Sequence, residues 1–239
     1  MNLPESDPRA VAVVSAIRSG HIDTLDRLMR EDSELAKAKV VDSCGVARSL
    51  LHIATDWPGN FPSVARTIGA LIAAGGNLNA RVKGETPLHW AASSDDVAAI
   101  DALLDGGADL EAQGAIFTGG APMSDAVVFA QWRAAHRLLG RGAKTTCWQA
   151  AALGLLDRVQ EWCLGQPPPP SNEITNAFWH ACRGGQKQTA EYLLTHGADF
   201  NWVGYDKRTP LAAAHDSGNA ELIAWLRSKG AKLGEELVD

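Results

Sequence analysis

Apolar positions along the chain fall into short helical stripes that recur in one fixed order: a small-residue helix, a polar break, a second amphipathic helix, then a glycine. In residues 86–112, "TPLHWAASSDDVAAIDALLDGGADLEA", Leu88, Ala91 and Ala92 form the first stripe, Leu103 and Leu104 the second, and Gly107 ends it. The order returns in "SLLHIATDWPGNFPSVARTIGALIAAGGNLNA" (49–80), "NAFWHACRGGQKQTAEYLLTHGADFN" (176–201) and "TPLAAAHDSGNAELIAWLRSKGAK" (209–232). Weaker copies start at Ala12, Ala121 and Cys147. Marking each first helix by one small residue gives Ala16, Ala54, Ala91, Ala126, Ala150, Ala181 and Ala214, hence steps of 38, 37, 35, 24, 31 and 33 by subtraction. A fixed period of this size predicts about seven stacked helix–turn–helix units.

The residue types fit that architecture physically. Thr86 can cap the first helix with its hydroxyl, and Pro87 suits the first helical position, where its missing N–H costs nothing. Ala91 and Ala92 let neighbouring first helices approach to about 8–10 Å. The second-helix pair Leu103/Leu104 recurs as Leu71/Ile72, Leu138/Leu139, Leu193/Leu194 and Trp225/Leu226. Gly107, Gly142, Gly197 and Gly230 follow, where a left-handed residue ends a helix.

A step near 33 with T-P-L-H-x-A resembles the ankyrin repeat, and the resemblance covers residues 8–232. It implies an all-α ankyrin-repeat solenoid with short β-hairpin fingers between units. One continuous domain, 8–232, is expected, with terminal tails at 1–7 and 233–239, of which the last six or so residues fray. Polar outer faces are expected on the end units.

Some units depart from the pattern. "TDWPGNFPS" (55–63) is an insert between two helices, its prolines and Gly-Asn pair stopping a helix and forming a turn. The step of 24 leaves no room for a finger after Ala126, and "GQPPPPSNE" (165–173) replaces another finger with a stiff polyproline spacer. Such a run can also dock in an aromatic groove. Fingers remain at 42–48, 81–85, 113–120 and 202–208.

Composition narrows the function. Across 239 residues, 46% are hydrophobic, enough for a continuous core, and 22 Lys+Arg against 28 Asp+Glu give a formal charge of -6. That balance argues against nucleic acid as partner. The acidic start, with Glu5 and Asp7, is unlike a secretory signal, and no apolar run approaches a membrane span. A cytoplasmic, monomeric protein is expected, of compact bacterial style. Cys44, Cys147, Cys163 and Cys182 are scattered and read as reduced, mostly packed thiols.

The short motifs that carry catalytic or phosphate chemistry are missing, so no catalytic residue, cofactor or metal is assigned. His52 and His89 occupy equivalent places in adjacent units, too far apart to share a metal, and suit local hydrogen bonds at their helix starts. His180 and Cys182, two apart on a helix, point to different faces. Asp56, Asp95 and Asp96 fall at turns, where acids are solvated or cap helices.

The resemblance implies that partners lie on the concave surface, made by the fingers and the outer side of each first helix. The position after the histidine is held by Ile53, Trp90, Asp125, Gln149, His180 and Ala213. It varies while its neighbours repeat, which suggests that the stack does not need it. Trp90 is then either an anchor for a partner or a residue packed against Ile53 or a finger. Around it gather Arg48, Arg81, Lys83, Glu85 and Asp125 as a charged rim, with Phe117 as a second apolar contact or as an anchor for its own Gly-rich loop. Trp202 and Tyr205 form a second candidate patch. Trp132, Trp162 and Trp225 are expected in or half in the core, and Trp148 and Trp179 as packing in the histidine position. The reading is a non-enzymatic module that binds a protein partner. Its alternatives are a small-ligand sensor or enzyme with a pocket near Phe129, Gln149 and His180, and an adaptor that uses the polyproline loop.

Overall fold

A computed structural model describes residues 1–237, which divide into two compact units, one ending at Lys144 and one beginning at Thr145. The first unit opens with β1 (Asn2–Pro4), then α1 (Pro8–Ser19), α2 (Ile22–Glu31), β2 (Lys39–Val41) and β3 (Ala47–Ser49). Three further helix pairs complete it: α3 (Leu50–Thr55) with α4 (Val64–Ala73), α5 (Pro87–Ser93) with α6 (Val97–Asp105), and α7 (Pro122–Val128) with α8 (Trp132–Gly140). The second unit holds α9 (Cys147–Ala152) with α10 (Leu156–Cys163), α11 (Ser171–Arg183) with α12 (Lys187–Thr195), and α13 (Pro210–Ser217) with α14 (Ala220–Ser228). The described residues thus contain fourteen α-helices in seven pairs, the number that the repeat predicts.

Within each unit, first helices stack on first helices and second on second: α1, α3, α5 and α7 form one layer, α2, α4, α6 and α8 the other, and α9, α11 and α13 repeat the first layer. Small residues make the contact possible, since Ala54, Ala91, Ala126, Ala181 and Ala214 are fully buried. In the second helices one residue of each leucine pair is buried (Leu71, Leu103, Leu138, Leu193, Leu226) and the other lies half-buried. No helix among the described residues is long and apolar enough to cross a membrane.

The fingers are shorter than hairpins of regular strand. Among the described residues only β2 and β3 pair as an antiparallel ribbon, with Val40 opposite Arg48. Residues 1–7, expected as a tail, are tied to that ribbon: β1 lies parallel to β2, and Leu3 is buried. The finger at 81–85 is a two-residue turn closed by reciprocal backbone bonds between Val82 and Glu85 (2.9 and 3.0 Å). Lys83 and Gly84 both have positive φ (52° and 96°), as such a turn requires. At the other end Gly234–Leu237 form a 3₁₀ turn, and of the stretch expected to fray, residues 238 and 239 lie outside the described residues.

One helix register differs from the expected alignment. Thr86 and His89 form a reciprocal capping box at the start of α5, and Thr146 forms the same box with Gln149 at the start of α9. Gln149 therefore takes the histidine's own place, not the next one, and Trp148 sits one residue earlier. The amide can stand in for the ring because both present an acceptor to the cap's backbone N–H. In α11 the same place belongs to Trp179, whose indole N–H donates to the Arg208 carbonyl (3.0 Å) as His52 and His89 reach carbonyls in their own neighbours. Trp132, Trp162 and Trp225 are half-buried, as expected.

The turn acids bind repeats to one another. Asp96 is fully buried, capping α6 at Ala99 N (3.0 Å) and accepting from Asn60 N in the 55–63 insert (2.7 Å). Asp95 accepts from Ala134 N at the start of α8 (2.7 Å), and Asp56 pairs with Arg48 (3.1 Å). Asp96→Ala leaves two backbone donors short of a partner, one of them at a helix N-terminus. It is expected to lower stability by about 2–3 kcal/mol in urea denaturation. A loss below about 0.5 kcal/mol would show that water replaces both bonds.

Candidate functional site

The finger side of the first unit is built from four first helices and the turns that precede them. At its centre, Ser49 Oγ meets His52 Nδ1 (2.7 Å), and Nε2 of that ring faces the Glu85 carbonyl (3.2 Å). One unit along, His89 Nδ1 accepts from Thr86 N (3.1 Å) while Nε2 faces the Gly120 carbonyl (3.2 Å). Each histidine thus ties its helix start to the next finger, with the Nε2–H tautomer assigned from these partners. Burial lowers both pKa values, that of His52 to about 4, so both rings are neutral at physiological pH.

Trp90 is half-buried. Its indole N–H donates to Glu85 Oε2 (3.1 Å), and its ring stands edge-on to His52 with centroids 4.8 Å apart. It packs against the finger, leaving part of the indole to solvent. The position after the histidine is not otherwise open: Ile53, Asp125, His180 and Ala213 are all buried.

Asp125 departs furthest from its expected place in a charged rim. It is 1% exposed, and Glu85 is 8% exposed. Asp125 Oδ2 is buried and meets no hydrogen-bond partner among the described residues. Burial first and the neighbouring Glu85 charge second raise Asp125 to about 8, and burial also raises Glu85.

The folded state therefore holds a proton that the unfolded chain, with its aspartate near 3.8, has already released. This contribution to stability is complete below the unfolded value and is lost as pH rises through about 8. Asp125→Asn removes this titration. At pH 8 it is expected to be more stable than wild type by about 1–3 kcal/mol, with a flatter pH profile in chemical denaturation. An equal slope in both proteins would place the proton elsewhere.

The remaining rim is basic. Arg81 and Lys83 are exposed, and the Arg81 guanidinium bonds the Gly84 carbonyl (2.5 Å) and the Gln113 carbonyl, clamping two fingers together. Gly114, at φ 146°, lies against Gly84, where any Cβ would overlap the Gly84 carbonyl. Arg48 is half-buried and held by Asp42 and Asp56. Phe117 does not anchor its loop from inside: it is 70% exposed, next to Ile116 at 54%. Phe129, at the end of α7 and 41% exposed, meets it with ring centroids 5.8 Å apart. Ile116 and Phe129 were not legible as parts of this patch, because their meeting depends on how the 113–120 loop folds over α7.

In the second unit, Tyr205 is exposed and donates its hydroxyl to Asn176 Oδ1 (3.1 Å), while Trp202 is half-buried at 5.9 Å from its ring. His180 is 4% exposed, enclosed by Trp148 (4.6 Å), Trp179 (5.0 Å) and Tyr205 (5.6 Å), and burial lowers its pKa to about 3. It is part of an aromatic core rather than a surface contact. Cys182 is fully buried with its thiol pushed up, so it forms no thiolate beside that histidine. An open groove of about 510 Å³ at the start of α2, lined by His21, Thr24 and Arg66 among others, adjoins none of the candidate residues.

The family described as Ankyrin repeats (3 copies) matches residues 13–114 and 147–236. A curated relative, the Caenorhabditis elegans Ankyrin repeat and KH domain-containing protein mask-1, is 26% identical over 235 residues. That alignment covers 94% of this chain and 9% of the relative, so the chain spans under a tenth of that protein. Among solved structures, the human ASB11 ankyrin repeat domain is similar with a TM-score of 0.53 at 19% identity. The match covers 90% of this chain and 96% of that domain, a likeness of fold.

Proposed function

The chain belongs to the ankyrin-repeat family, and from that premise we propose that it is a non-enzymatic module that binds a protein partner through the finger side of its first unit. Ankyrin repeats are generally protein–protein interaction modules. The observation that carries this reading is the meeting of exposed Phe117 and Phe129 beside exposed Ile116. Large apolar groups gathered on a surface mark contact sites, and aromatic anchors dominate their energetics. Arg81 and Lys83 supply a basic rim, and the half-buried Trp90 offers its free edge.

The fingers are already held in place. The Arg81 clamp and the two histidine ties fix them before a partner arrives, so docking costs little ordering entropy. The buried histidines are neutral, and burial pushes the thiols of Cys147, Cys163 and Cys182 away from ionisation, which disfavours nucleophilic or acid–base roles. The four unpaired cysteines suit a reducing, cytoplasmic setting, and the reading takes the protein as a monomer.

Capture from native lysate by wild type, Phe117→Ser and Tyr205→Ser, at matched melting temperature, tests this. A protein held by wild type and Tyr205→Ser but lost by Phe117→Ser supports the site. Loss by Tyr205→Ser alone would move it to the second unit, where Trp202 and Tyr205 then become the contact residues.

A further inference from the structure

We infer that the partner meets the proposed site with a short acidic segment, an apolar side chain of which lies on Ile116, Phe117 and Phe129 while a neighbouring carboxylate is taken by Arg81 and Lys83. The inference rests on the proposed site and names the chemistry of what it binds. The chain as a whole is acidic, with a formal charge of -6, but this part of its surface is not. Residues 112–137 contain a single acid, Asp125, and the 81–85 finger contains a single acid, Glu85, and both are buried. The ionisable side chains that the finger shows to solvent, Arg81 and Lys83, are both cationic.

Arg81 is set up to take a carboxylate. Its bonds to the Gly84 and Gln113 carbonyls are both made by Nη1. Its Nε and Nη2 meet no acceptor among the described residues, which leaves open the paired edge of the guanidinium that holds a carboxylate by two parallel bonds. Carbonyl partners neutralise none of its charge, and the clamp already fixes its side chain, so little rotamer freedom is lost when a carboxylate arrives. Lys83 makes no hydrogen bond or ion pair among the described residues and adds a mobile point charge beside it.

The spacing fits a short segment. Gly114 lies against Gly84, so the finger and the loop that carries Phe117 touch at their bases. Phe117 is three residues beyond Gly114, about 10 Å of chain at most. A partner segment of about five extended residues, about 17 Å long, reaches from the Phe117–Phe129 contact to the finger. A nucleic-acid strand fits less well, because Arg81 and Lys83 alone are few for a phosphate backbone and the net negative charge of the chain repels a long polyanion.

Selection of a random peptide library on the full-length protein, followed by fluorescence anisotropy with the most enriched peptide, tests the inference. Enriched peptides are expected to carry Asp or Glu next to Leu, Ile, Phe or Trp and to be poor in Lys and Arg. The leading peptide is expected to bind Phe117→Ser about tenfold and Lys83→Glu about threefold more weakly than wild type, to lose affinity as salt rises, and to bind Tyr205→Ser as it binds wild type. All three substituted side chains are exposed, and equal melting temperatures check that the variants fold. Enriched peptides with no acidic bias that still fail on Phe117→Ser overturn the acidic segment and leave the site standing, as does an affinity that neither Lys83→Glu nor salt alters. No enrichment, or peptides that bind Phe117→Ser as well as wild type, overturns both the segment and the site. Labelled oligothymidylate held by wild type and lost by Phe117→Ser replaces the acidic segment by a nucleic acid and overturns the proposal.

Discussion

Phe178→Ala is expected to lower the stability of the second unit by about 3–5 kcal/mol. Phe178 is completely buried in α11, in the core shared with Ala150, Val159, Leu193, Leu211 and Leu222. It takes the place held by Leu88 in α5, in a cluster that includes Ala150 and Ala151 of α9 and Ala214 of α13. Removing the ring deletes dispersion contacts and leaves a cavity that close-packed helices relax into only partly. A repeat stack holds by neighbour interfaces, so the loss touches the contacts of α11 with both α9 and α13. Urea denaturation checks it. A cost below about 1.5 kcal/mol would show that the helices collapse onto the void, and Phe178→Leu is expected to cost less than half as much as alanine.

His89→Ala is expected to cost about 2–4 kcal/mol, because one side chain serves two neighbours. It accepts the Thr86 backbone N–H inside the capping box and meets the Gly120 carbonyl in the next unit, and burial denies water as a substitute. His89→Gln separates the two parts, since Gln149 already closes the equivalent box at α9, with Thr146 N donating to its Oε1 (2.8 Å). The glutamine variant is expected to recover about half of the loss. If glutamine is as damaging as alanine, the tie to Gly120 carries the whole effect, and the cap carries none of it.

The repeat, its seven copies and the two-helix plan were legible in residues 86–112 and their relatives because each position has a local physical job. A threonine caps, a proline starts a helix, alanines permit close approach and a glycine ends the second helix. The register of α9 was misread by one residue because "CWQAAA" offers three alanines, and only the geometry of the Thr146–Gln149 box decides among them. Trp179 was correctly expected to pack in the histidine position, but its bond to the Arg208 carbonyl depends on where the next finger lies.

The candidate site was legible only in part. Trp90, Arg81, Lys83 and Phe117 were found from the alignment of fingers and first helices, and Phe117 is well exposed. Asp125 and His180 were chosen because their position varies from unit to unit, and both are buried. Variation along a sequence reports that no single side chain is required at a place, which is also true of a buried place whose surroundings differ from unit to unit.

By itself the sequence determined the period, the helix pairs, the order of buried stripes and the family, because these follow from periodicity and from what each residue can do within its own unit. Only the tertiary structure decided that Glu85 and Asp125 are buried, that His180 lies inside an aromatic cluster, and that Phe117 and Phe129 meet at the surface. Those facts arise between residues that are far apart in the chain, where burial and distance set the chemistry and no spacing rule records them.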